Sequence, residues 1–390
     1  MNAFIALLKI AITGQCQPIA LIDWNEIYAL SQFHNVNNLI CEALQYLPEE
    51  QRPSAELTTV LKNSIYYTVA LEMNQSYNIA EAIAAFEENH IPVIMLKGWV
   101  MKQFYPRTDL RSMADTDIFM RIEDEKKVHK ILAEKNYKCI SYGGKKDNVY
   151  SLPPYTTIEM HKSLFMYEDD WNGYMQQIWE RTELLQGYQC VYRMDKELFY
   201  VYMIAHAAKH LKDDGGIGVR AFLDLFVYRR FYQDELDYSV IERDLESLKL
   251  SRFAEKAYAL AEMWFGERDP DPAYMEFGDY ILNCGAYGNK DHFVMNNEVM
   301  REDPEAGKWT YIWRRAFPNL ESMQARVPQL RKYPVLLPYY WVKRLLSSLM
   351  NRSEFIRGEI ESAGNVDKDE MLRIKKIYNE WGLVPTSKDE

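Results

Sequence analysis

The run Met113-Ala-Asp115-Thr-Asp117-Ile-Phe-Met120 sets two carboxylates two residues apart in an otherwise apolar stretch. Side chains on a strand alternate faces, so Asp115 and Asp117 are expected to point one way and Thr116 and Ile118 the other. Two acids on one face repel each other unless a cation sits between them. Oxygen ligands of this kind suit Mg²⁺, which takes one or two carboxylates and fills its shell with water and substrate phosphate. Downstream, Thr157-Ile-Glu159-Met-His161 is a second alternating run with a third carboxylate. Upstream, Ile91-Pro-Val-Ile-Met-Leu96-Lys97-Gly98 is an apolar run that ends in a glycine.

Asp115, Asp117 and Glu159 could together hold Mg²⁺ or Mn²⁺ if their strands are neighbours. Two such ions about 4 Å apart stabilise both the entering and the leaving oxygen of a phosphoryl displacement. Glu159 could bridge to the second ion or take a proton from an acceptor. A glycine between strand and helix lets the backbone approach phosphate, and the N–H groups of a helix start favour an anion. Lys97 adds a point charge beside Gly98, and the planar forks of Arg107 and Arg111 could reach phosphate oxygens. His161 shares a strand face with Glu159, where it could orient the carboxylate or bind nucleotide.

The elements that must position these groups follow from period and punctuation. Residues 1–88 read as a helical region. Asp23 is a helix N-cap ahead of Trp24, and the stretch from Glu56 to Glu88 has helical spacing with no proline or glycine. His90-Ile-Pro92 breaks that helix, and Val93 to Leu96 reads as a buried strand. A short helix from Trp99 to Tyr105, the strand from Asp115 to Met120 and a helix from Glu123 to Asn136 follow. Strands are expected at Tyr137–Tyr142, Val149–Leu152 and Thr156–Ser163, with a hairpin turn or short loop at Gly143–Asn148. From about residue 170 the helical period returns, clearest at Leu198–Leu211 and Arg220–Tyr232. Asp213-Asp-Gly-Gly-Ile-Gly218 reads as a flexible connection, and Pro385–Glu390 as a frayed tail. The expected architecture is α+β: a small mixed-sheet core at 89–190, flanked by helical regions at 1–88 and 191–390.

The passage from Leu96-Lys97-Gly98 through Tyr105-Pro106 and Arg111-Ser-Met-Ala-Asp115-Thr-Asp117-Ile-Phe to Ile158-Glu159-Met-His161 resembles the uncharacterised nucleotidyltransferase family of the polymerase-beta-like superfamily. That family shows a leucine-lysine-glycine, an arginine before an Asp-x-Asp, and a later Glu-x-His. The likeness runs from about Trp24 to Asp224 and takes in His34, His206-Ala-Ala-Lys-His210 and Leu223-Asp224. Ala114 stands where a glycine is more usual, Phe119 where an aliphatic residue is, and Lys97-Gly98 where the superfamily has glycine-serine. The resemblance implies a metal-dependent transferase that moves a nucleoside monophosphate from an NTP such as ATP to an acceptor, releasing pyrophosphate. Asp115, Asp117 and Glu159 would be its catalytic and metal-binding residues. Lys97, Gly98, Arg111 and His161 would bind the nucleotide. The core is too small to enclose both substrates, so a helical wall is expected on the acceptor side, with His206, His210 and Asp224 as its candidates.

Plainer readings stand beside these. The Asp pair could be an edge-strand device against aggregation. Lys97-Gly98 could be an ordinary turn, Glu159 and His161 a solvent face, Asp224 a satisfied helix-core acid, and His206 with His210 a helix-packing pair. Two other functions also remain open: a non-catalytic nucleotide- or partner-binding protein on the same fold, and a glycosyltransferase using the Asp-x-Asp metal site.

Bulk properties narrow the field. The 390 residues are 48% hydrophobic and 14% aromatic, enough for a large core and against extensive disorder. A net charge of -11 argues against broad nucleic-acid binding, which needs a basic surface. The five cysteines are scattered with no metal or redox spacing, which fits a cytoplasmic protein. The apolar N-terminus is interrupted by Lys9 and lacks a basic leader, so it is expected to be an amphipathic first helix, and no stretch is long enough for a membrane span.

Overall fold

A computed structural model describes residues 2–16, 18–165, 170–175, 177–288, 290–299, 308–327, 329–351 and 368–384. The tail at 385–390, expected to fray, lies outside them. The chain forms two compact units, Met1–Ala205 with Arg220–Pro272, and His206–Val219 with Ala273–Glu390.

In the first unit, α1 (Ala3–Thr13), α2 (Trp24–Phe33), α3 (Asn37–Ala43) and α4 (Ala55–Glu88) precede the sheet. Asp23 caps α2 by accepting from the Asn25 and Glu26 backbone N–H groups, and Ser54 caps α4 from Leu57. The first helix is not amphipathic. Phe4 through Ala11 are all buried, Lys9 included, because α1 packs on α3 and on a later helix, and the Lys9 ammonium donates to the Gly266 carbonyl at 2.6 Å.

The sheet has seven strands: β1 (Val93–Met95), β2 (Thr116–Met120), β3 (Lys138–Ser141), β4 (Asp147–Leu152), β5 (Thr156–His161), β6 (Thr182–Leu184) and β7 (Val191–Met194). Their order is β3-β4-β5-β2-β1-β7-β6, with β2 parallel to β5, β1 parallel to β7, and the other neighbours antiparallel. This is an α+β fold with a mixed sheet and helical flanks. The last two strands fall where only helix was expected. They are three and four residues long, too short to carry a period.

Alternation along the central strands separates core from site. Thr116, Ile118 and Met120 of β2, Ile158 and Met160 of β5, and Asn148 and Tyr150 of β4 are all buried. Their neighbours Asp117, Glu159 and Asp147 point to the opposite face and are half-buried. The helix α5 (Lys97–Met101) follows β1, and α6 (Glu125–Glu134) follows β2. After β5 come α7 (Asp170–Met175), α8 (Lys196–Asp213), α9 (Val219–Tyr232), α10 (Tyr238–Ser247) and α11 (Ser251–Phe265).

The second unit takes the end of α8 and the helices from Pro272–Leu282 to Lys368–Glu380. Its core joins Tyr280 and Tyr378, whose hydroxyls lie 2.8 Å apart, with Asn296 and Tyr378 donating to the Leu211 carbonyl at 2.7 and 2.6 Å. The glycine-rich segment expected to be a flexible connection is packed instead. Residues 215–218 are buried, and a Cβ on Gly216, at φ +127°, would run into the Cys284 side chain.

Candidate functional site

Parallel pairing of β2 with β5 sets Asp117 directly beside Glu159 and Phe119 beside His161. Antiparallel pairing of β4 with β5 then sets Asp147 beside His161. One face of three adjacent strands therefore carries three carboxylates and an imidazole. His161 Nε2 lies 2.7 Å from Asp117 Oδ1 and 3.5 Å from Glu159 Oε2. Its Nδ1 lies 3.9 Å from Asp147 Oδ2.

Asp115 stands one residue ahead of the strand, in a bend, rather than within it. Its charge still reaches the others. Burial and the neighbouring Asp117 charge push the Asp115 carboxyl above its ordinary range. Burial, with the charges of Asp115 and Asp117, does the same to Glu159. Tyr202 on α8 also faces this group. Burial raises its hydroxyl well above the ordinary phenol range, and the charges of Asp117 and Glu159 add to the effect. Crowded acids held this way favour either a proton or a cation.

The donor chemistry fits a divalent ion. One donor atom each from Asp117, Glu159 and His161 lies within 4.8 Å of the others. That compact trio differs from the expected Asp115, Asp117 and Glu159. It brings in His161, whereas Asp115 flanks it. Ligands about 2.1 Å from an octahedral ion sit roughly 3–4 Å apart, so a small contraction would close the set.

Lys97 and Arg111 belong to a second, buried cluster centred on Asp224. Arg111 grips Asp224 with both ends of its fork, Nε to Oδ1 and Nη2 to Oδ2, each at 3.0 Å. Tyr105 donates to Oδ1 at 2.8 Å, and Lys97 Nζ lies 3.4 Å from Oδ2. Asp224 is 1% exposed. Burial alone would raise its carboxyl, but the Arg111 and Lys97 charges outweigh it and bring it down to about 2. Burial lowers the Lys97 ammonium, with Asp224 opposing. Asp224, expected on an acceptor wall, thus spends its carboxylate on the two cations expected to bind phosphate.

Arg220, one turn before Asp224 on α9, ties the two clusters together. It donates to the Ser112 carbonyl at 3.0 Å and lies within electrostatic reach of Asp115. Arg111 donates to the same carbonyl at 3.0 Å. The segment leading to Asp115 is therefore held from both sides. Gly98 acts on that segment too. A Cβ there would lie 2.8 Å from Met113 Sδ, so the glycine lets residue 113 pack on α5.

His206 and His210 belong to the second unit. Their Nε2 atoms are 3.1 Å apart, and His210 Nδ1 lies 2.6 Å from Asp214, which also pairs with Lys209 at 2.9 Å.

Two residues near the acids were not singled out for the site from sequence, Asp147 and Tyr202, while Arg220 was expected only as part of the acceptor-side helical segment from His206 to Asp224. Asp147 had a signal, since it continues the alternation through Val149 opposite Glu159 and His161. Arg220 had one in its four-residue spacing to Asp224, which puts both on one helix face. Tyr202 had none in an apolar helix.

A family model described as an uncharacterised nucleotidyltransferase matches residues 20–266, more than half of the chain and all seven strands. No curated protein matches the chain.

Proposed function

The chain belongs to the uncharacterised nucleotidyltransferase family, and on that premise we propose that it is a metal-dependent enzyme moving a nucleoside monophosphate from an NTP to an acceptor. The observation that carries this is the convergence of Asp117 and Glu159 on adjacent parallel strands, with Asp115 in electrostatic contact with both. A bound Mg²⁺ or Mn²⁺ supplies polarisation of the α-phosphate and neutralises the charge that develops there.

The chain's own residues do the rest. Asp117 and Glu159 would hold the ion, and Asp115, flanking them, would add its carboxylate charge to the site. Lys97 and Arg111 are nearly buried, so they contribute a fixed positive field and hold the backbone around Ser112. Arg220 is the more accessible cation beside Asp115 and is assigned to the phosphates. Gly98 serves by letting the segment ahead of Asp115 pack closely. Tyr202, within electrostatic reach of Asp117 and Glu159, keeps its phenol protonated beside them.

The test is pyrophosphate release. Each of the four NTPs is supplied with Mg²⁺ or Mn²⁺ and a panel of hydroxyl- and amine-bearing acceptors: aminoglycosides, saccharides, peptides and proteins. The proposal expects release with at least one acceptor, lost in Asp117→Asn. NTP binding without release for any acceptor would favour a non-catalytic nucleotide-binding protein. Turnover of a nucleotide sugar instead would overturn the proposal.

A further inference from the structure

The two ring nitrogens of His161 are in opposite circumstances. Nε2 lies 2.7 Å from a carboxylate oxygen of Asp117, so it carries the proton and donates. In the neutral ring Nδ1 is then an acceptor. It is buried and has no hydrogen-bond partner. Across the β4–β5 pairing, Asp147 Oδ2 lies 3.9 Å from it, a carboxylate that when ionised can only accept. Two acceptors thus face each other beside a ring that is 5% exposed. An unmade hydrogen bond of a buried group is unfavourable.

The opposite tautomer resolves this. A metal-ligating imidazole keeps its proton on the other nitrogen and donates it to a carboxylate or carbonyl, which fixes the ring. We propose that His161 is a ligand of the divalent ion through Nε2, and that Asp147 is the positioning residue that accepts the Nδ1–H. The inference rests on the reading that these acids bind a divalent ion, and adds a nitrogen donor and an outer carboxylate to it. Binding an ion at Nε2 would send that proton to solvent while Nδ1 takes one up, so no net proton is lost from a neutral ring. Asp147 must close from 3.9 Å to about 2.9 Å, an ordinary N–H···O distance. Its half-buried side chain pairs with Lys146 at 3.8 Å, a long contact that a shift of about 1 Å can accommodate. A nitrogen in the shell also moves the site away from the all-oxygen set that Mg²⁺ prefers, toward transition metals.

The experiment uses the full chain with Mn²⁺ and inorganic triphosphate, which contains no nitrogen. Electron spin-echo modulation should show the ¹⁴N coupling of a directly bound imidazole. Labelling the histidines with ¹⁵N should replace that pattern, and His161→Gln should abolish it. Asp147→Ala should weaken Mn²⁺ about tenfold, and Asp147→Asn, whose Oδ1 still accepts, should keep most of the affinity. Mn²⁺ bound without nitrogen coupling would overturn this inference and leave the carboxylate site standing. No Mn²⁺ binding at all would overturn both. Asp147→Ala binding Mn²⁺ as tightly as the wild type would remove Asp147 from the account.

Discussion

Asp224→Asn should destabilise the protein by about 3–5 kcal/mol, the usual effect of removing one partner from a buried ion pair. The structure puts this substitution at the high-cost end. Asp224 is 1% exposed and takes a two-point grip from Arg111, a hydroxyl from Tyr105 and the Lys97 ammonium. Asparagine keeps the shape and an acceptor, but leaves Lys97 and Arg111 buried without their counter-charge. The same carboxylate fixes a pH dependence. Its folded value of about 2 lies below the ordinary 3.8, so its contribution is fully present above 3.8 and is lost as pH falls through about 2. That difference is worth about 2 kcal/mol at 1.36 kcal/mol per pH unit. It is smaller than the mutational figure because it is net of the burial penalty. Urea unfolding at pH 7 and at a series of values down to pH 2 measures both. A loss below about 1 kcal/mol at pH 7, or a variant as acid-sensitive as the wild type between pH 4 and 2, would refute the assignment of Asp224 as the hub.

The carboxylates of the proposed metal site should behave in the opposite way. Asp117→Asn should leave apo stability unchanged or slightly raised, since it relieves repulsion within the acid cluster, while abolishing divalent binding by calorimetry. A loss of more than about 2 kcal/mol would assign Asp117 a structural hydrogen-bond role instead. Tyr105→Phe removes one hydroxyl donor to Asp224 and should lower unfolding stability by about 1 kcal/mol; no loss would show that the contact at 2.8 Å is energetically silent. Gly98→Ala should destabilise by about 1 kcal/mol, overpacking against Met113 outweighing the helix gain of alanine. Combining it with Met113→Ala should cost less than the sum of the two single changes, and strict additivity would refute the steric account.

Much of the site was legible because the strands that carry it alternate strictly. The spacing of Asp117, Glu159 and His161 sufficed to place them on one face, and the burial of Ile118, Ile158 and Met160 on the other face follows from the same period. The long helix ending at Glu88 and the Asp23 cap were equally plain, since each depends on neighbours within one turn. What escaped depends on distant partners. Arg111 reads as a phosphate ligand until Asp224, 113 residues later, is seen in its fork. Gly98 reads as a phosphate-cradling glycine until Met113 fills the space beside it. The strand β7 is set by parallel pairing with β1, and its four residues carry no period of their own. The first helix reads as amphipathic because of Lys9, yet that ammonium finds the Gly266 carbonyl and the whole turn is buried.

The most direct measurement is a thermal-shift titration of the four NTPs, each with and without Mg²⁺ or Mn²⁺, on the wild type and on Asp117→Asn. A ligand that binds only the folded state at about 100 times its Kd adds about 2.7 kcal/mol of stability, a rise of several degrees in Tm. The account predicts that rise for at least one NTP, only when the divalent ion is present, and its loss in Asp117→Asn. A rise that persists without the ion or in the variant, or no rise with any NTP and either ion, would contradict the placement of a metal-dependent nucleotide site on the Asp117–Glu159 face.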